Sequence, residues 1–147
     1  DPRTARKLQS AQAAFKDFIP NVKKFKPKFG FQADVVGGPE ATVRQIGYEK
    51  YLHADFFGNF HMLKAATSTA GEIVALCGPV LNPYAEGKLG VVEEGAYADL
   101  LLVDGNPLED ITVIGAVDKW HNAPSRDGVT TIRLIMKDGK IHKNTLP

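Results

Sequence analysis

Apolar residues recur at Leu8, Ala11, Phe15 and Phe18, with Arg6, Lys7, Gln9 and Lys16 off that line. Spacings of three, seven and ten predict an amphipathic helix from Thr4 to about Phe18. Pro20 ends the periodicity, and Val22 and Phe25 could extend it by a second short turn. From Phe29 to Pro39 the pattern becomes a short apolar run that reaches a carboxylate, Asp34, and then a Gly37-Gly38-Pro39 loop. That is the form of a strand stopped by turn residues. Glu40, Val43, Ile46 and Tyr51 hint at a second helix, interrupted by Gly47. From Asn59 to Leu76 a longer helix is expected. Met62, Ala66, Ile73 and Leu76 fall near one stripe, Leu63, Ala70 and Val74 lie beside it, and Asn59 is a fair N-cap. Gly78-Pro79 supplies the stop.

Val80 to Glu86, with Asn82-Pro83, reads as a linker, and the chain is expected to divide there into residues 1–79 and 80–147. Leu89, Val91 and Val92 make a short apolar run, Glu94-Gly95 turns, and Leu100-Leu101-Leu102-Val103 has the composition of a buried strand. Asp104-Gly105-Asn106-Pro107 stops it. Leu108 to Ile114 reads as a short helix or turn capped by Asp110 or Thr112. Asp118 to Val129 is a polar, insertion-like loop holding Trp120, His121, Pro124 and Gly128, with Trp120 expected to anchor onto the sheet. Thr130 to Lys143 is a hairpin: Thr131, Arg133, Ile135 and Lys137 alternate with Ile132, Leu134 and Met136, and Asp138-Gly139 predicts a type I′ turn.

A chain of 147 residues suits one ordinary core, and its net charge of +1 gives no support for a nucleic-acid or membrane-surface partner. Lys23, Lys24, Lys26 and Lys28 are read first as a solvated helix end, where cations complement the dipole, and second as a phosphate-binding patch. No apolar run approaches the roughly 20 residues that cross a bilayer. The single cysteine, Cys77, excludes an internal disulfide and is expected to be a packed helix-end thiol. A cytoplasmic setting is the default. His53, Asp55 and His61 invite a metal reading, but their spacing matches no standard site, so the histidines are expected to be packed, hydrogen-bonded or exposed residues around the next helix.

Two stretches carry a resemblance. Gly87 to Asp110, GKLGVVEEGAYADLLLVDGNPLED, resembles the C-terminal signature of the amidohydrolase superfamily, most closely the imidazolonepropionase-like proteins and the metal-dependent Xaa-Pro dipeptidases. Leu63-Lys64-Ala65-Ala66-Thr67-Ser68 resembles the family's helix after the eighth strand, and Lys137-Asp138-Gly139-Lys140-Ile141 its closing hairpin. The resemblance implies an α/β fold: the C-terminal piece of a (β/α)8 metallo-hydrolase barrel followed by strands of a small composite β-sandwich. Residues 1–79 would be the last helix-strand-helix unit of the barrel and 80–147 part of the sandwich. The family's eighth strand ends in Gly-Thr-Asp or Gly-Ser-Asp, an aspartate that binds metal and moves the proton. Asp34 takes that position here, as catalytic residue and metal ligand, with Gln32 and Ala33 where the family has Gly and Thr or Ser.

The implied reaction is hydrolysis of a C–N bond in a small amide or dipeptide by metal-activated water, with a divalent cation, zinc by preference, in the intact parent. The family draws its other ligands from earlier strands, and the chain matches only the last third or so of such a protein; an (β/α)8 barrel needs about 250 residues. The chain opens Asp1-Pro2 without an initiator Met, which also reads as a fragment. The fragment alone is therefore expected to bind no metal and to be inactive, needing the missing part of the barrel or a homo-oligomer. The rival expectation is a non-catalytic α+β structural or binding module.

Overall fold

Asp1 begins the first helix as its N-cap: the carboxylate accepts a hydrogen bond from the Arg3 amide at 2.9 Å, and Pro2 fills a position that needs no N–H. In a computed structural model, which describes residues 1–35, 37–120 and 128–147, this helix, α1, spans Pro2–Phe25. It does not stop at Pro20. Continuation gives up one backbone bond but brings Val22 into the core, the one residue of α1 that is buried. α1 ends at Lys26, which adopts a left-handed conformation (φ 47°) and donates its amide to the Val22 carbonyl at 2.8 Å.

The next segment, where a barrel strand is expected, forms no strand among the described residues. Residues 29–35 belong to no sheet, and among the described residues one backbone–backbone bond, Phe31 N–H to the Ala65 carbonyl at 2.8 Å, ties them down. A strand of a closed barrel pairs with a neighbour on each side, and the described residues supply none. α2 (Pro39–Phe57) then runs through Gly47 without interruption. A Cβ at Gly47 would lie 2.9 Å from the Gly115 carbonyl oxygen, and the Gly47 carbonyl accepts from the Val117 amide at 3.1 Å. The glycine thus serves close approach to another segment rather than a break. One turn on, Lys50 donates to the Ile114 carbonyl at 2.8 Å, and burial pulls its pKa below the usual lysine value.

The expected helix over 59–76 is divided into α3 (Asn59–Ala66) and α4 (Ser68–Ala75), broken at Thr67 (φ −124°, ψ −101°). Gly58, not Asn59, is the N-cap; the Asn59 amide instead reaches the Leu108 carbonyl at 3.1 Å. Gly78-Pro79 opens a single further turn, α5 (Gly78–Leu81), and Cys77 before it is exposed rather than packed.

The second half forms a three-stranded antiparallel sheet in the order β1 (Leu100–Val103), β2 (Ile132–Lys137), β3 (Lys140–Asn144). Asp138 and Gly139 both take positive φ, as the type I′ reading requires. Asp99 accepts hydrogen bonds from the Asp138 amide and Lys137, pinning the turn to the start of β1 and lowering the Asp99 pKa. The Leu89–Val92 run is not a strand, and Leu101 and Leu102 are about half exposed, so β1 is not the buried strand its composition suggested. Asp110 caps a 3₁₀ turn, Ile111–Ile114, through the Thr112 amide at 2.9 Å. Trp120 meets Tyr48 of α2 edge to face at 6.3 Å, so its anchor is a helix and not the sheet; His121 and Pro124 lie outside the described residues.

Ala54, Met62, Ile111 and Ala116 form the core, with Phe31, Tyr51, Leu63 and Ile114 packed around it. The accessible surface is 10495 Å². A compact chain of this mass would expose ~7,400 Å². Leu8, Phe15, Phe25, Phe60, Val80 and Val92 account for part of the excess.

Candidate functional site

Asp34 sits four residues before the Gly38 N-cap of α2, in the stretch that leads there from α1. The segment is held at both ends: Phe31 bonds to Ala65 of α3, and the Asp34 carbonyl accepts from Gln45 of α2 at 2.7 Å. Gln45 also donates to Glu49 at 2.9 Å, which fixes its amide orientation. The sequence offered no sign of this positioning role beyond a Gln-Glu pair one helical turn apart. Asp34 itself is exposed, and among the described residues its carboxylate has no hydrogen-bond or ionic partner. Two ligand-competent oxygens are therefore free and face water.

His53 and His61 are brought together, with Nε2 of the first 2.9 Å from Nδ1 of the second. The Gly58 junction between α2 and α3 allows two residues eight apart to meet. The rings are enclosed by Phe29, Phe31 and Phe57, with centroids 4.9–6.0 Å away. Burial first, and the neighbouring His61 second, push the His53 pKa down to about 4. Asp55 is exposed and does not complete a triad with them.

Zinc at an open catalytic site takes three protein ligands. Among the described residues no group of three or more His, Cys, Asp or Glu is placed to hold a metal. Asp34 can supply one ligand, and this chain's described residues do not by themselves make a metal centre.

Solved structures resemble the chain along most of its length. One, an uncharacterized protein, superposes with a TM-score of 0.69 at 30% identity over 98% of this chain. A prolidase complexed with N-methylphosphonate-L-proline gives 0.67 at 29% identity over the same share. An amidohydrolase gives 0.65 at 26% identity over 89%. A prolidase and an amidohydrolase among these neighbours support the amidohydrolase resemblance carried by the Gly87–Asp110 stretch. The chain spans 30% of the length of the first two proteins and 26% of the third. No family model and no curated protein matches it. Among the described residues no helix is long and apolar enough to cross a membrane.

Proposed function

We propose that this chain is the C-terminal portion of a metal-dependent amidohydrolase that hydrolyses a C–N bond in a small amide or dipeptide. Residues 1–79 would complete the catalytic barrel and residues 80–147 the adjoining β-sandwich. The observation that carries this reading is the likeness to a prolidase and an amidohydrolase along most of the chain, at 29% and 26% identity. The excess accessible surface supports it, since Leu8 and Phe15 of α1 and Leu101 and Leu102 of β1 stay about half exposed.

Asp34 is the residue assigned to the chemistry. A divalent metal, zinc by preference, would supply Lewis acidity and a water of lowered pKa. The share of this chain is one oxygen ligand and a base that takes a proton from the attacking water and returns it to the departing nitrogen. Gln45 positions Asp34 by holding its carbonyl. The proline-derived ligand of the prolidase neighbour makes a dipeptide with C-terminal proline the first substrate to assay.

A second reading, a non-catalytic α+β structural or binding module, is favoured by Gln32-Ala33 before Asp34 and by the lack of a ligand cluster. Reading the coding sequence upstream of the Asp1 codon separates the two. The enzyme predicts a His-x-His in frame about 250–300 residues earlier, the length a barrel requires. A start codon close to Asp1 would instead support the module.

A further inference from the structure

We infer that the cleft where the C-terminal end of α1 meets α3 binds a small organic acid with an apolar body, at a site separate from Asp34. The cleft is lined by Val22, Lys23, Lys26, Pro27, Phe57 and His61 and encloses about 360 Å³. That volume lies within the range of small-molecule sites, roughly 300–1,000 Å³. Its walls divide by chemistry. Val22, Pro27 and Phe57 give an apolar floor, whereas Lys23 and Lys26 bring two ammonium groups and His61 an imidazole.

The positive charge is uncompensated. Among the described residues no carboxylate lines the cleft, and neither Lys23 nor Lys26 has an ionic partner. Lys28, two residues on, is by contrast paired with Glu72. The ordinary role of lysines in a last helical turn is to complement the dipole, which amounts to about half a negative charge. Two ammonium groups exceed that requirement, and helix capping needs no apolar floor beside them.

His61 can add a directed donor. Its Nδ1 is engaged with Nε2 of His53 at 2.9 Å. When the proton of that bond belongs to His53, neutral His61 carries its own proton on Nε2, the nitrogen not used by the pair. An anion in the cleft selects this tautomer, because it needs a donor. The apolar floor favours a carboxylate on an aromatic or branched body over a bare phosphate, and the dimensions exclude a polynucleotide.

Titration of the 147-residue chain with benzoate, benzamide and inorganic phosphate, followed by the histidine ring NMR resonances and calorimetry, tests the site. Benzoate should bind saturably and shift the His61 resonances, with benzamide at least about tenfold weaker, the scale of a hydrogen bond to a charged group. The double substitution Lys23→Ala/Lys26→Ala should weaken benzoate by about the same factor and leave benzamide unchanged. Equal binding of benzoate and benzamide, or no saturation by benzoate, would overturn the inference. So would phosphate binding as tightly as benzoate, which marks a bare cationic patch. The comparison of the three probes on the unsubstituted chain does not depend on the variant folding.

Discussion

His53 shows at the residue scale how placement changes chemistry. An imidazole in water takes up its proton near pH 6.5, whereas in this fold His53 does so at about 4. The unfolded chain therefore binds a proton at this position before the folded chain does. Stability from the neutral ring is complete above about pH 6.5, declines as pH falls towards 4, and is then lost. The ring is only partly buried, so the decline attributable to it is roughly 1–2 kcal/mol, well under the full shift converted at 1.36 kcal/mol per unit. Denaturant midpoints at pH 7.5 and pH 4 should fall more for the natural chain than for His53→Phe; parallel changes would contradict the assignment. Neither the bond to His61 nor the aromatic enclosure could be read from spacing alone, because the two histidines lie on separate helices and meet only through the geometry of the Gly58 junction. Asp34 is the opposite case. Its candidacy comes from the order of motifs, and among the described residues its carboxylate has no hydrogen-bond or ionic partner.

At the scale of elements, local signals were legible and close approaches were not. The hairpin, the Asp110-capped turn and β1 follow from alternation and turn chemistry, all of which act within a few residues. The break at Thr67 has a tertiary cause. Gly90 packs so tightly on that turn that a Cβ there would stand 2.2 Å from the Thr67 carbonyl carbon, and its φ is +71°. Gly90→Ala should therefore cost about 3 kcal/mol or more, the sum of a left-handed alanine and overpacking. Gly95→Ala, at φ +83° with open space around it, should cost only about 1–2 kcal/mol. Equal losses in thermal unfolding would show that the 90–67 contact contributes nothing. The Phe29–Val35 stretch reads as a strand because its side chains are those of one, yet a sheet also needs partners, and composition does not say where they are. The same reasoning accounts for Leu101 and Leu102, apolar in sequence but half exposed.

At the scale of the whole molecule, surface is the dominant fact. An accessible area of 10495 Å², against ~7,400 Å² for a compact chain of this mass, leaves apolar side chains such as Phe15, Val80 and Val92 in water. The isolated chain should associate, and amides between Phe29 and Val35 should exchange quickly, since among the described residues only the Phe31 amide has a backbone partner there. Gel filtration giving a compact monomer, with exchange protection along that stretch, would count against this. Hydrolytic activity should be absent from the 147-residue chain, because Asp34 is its one assigned ligand. The most direct test of the account is metal content and turnover of a proline dipeptide by the full product of the gene, with and without Asp34→Asn. The account predicts that the substitution lowers turnover by about 10²–10⁴-fold and reduces bound metal while the thermal midpoint holds. Unchanged turnover and metal content in Asp34→Asn would contradict it.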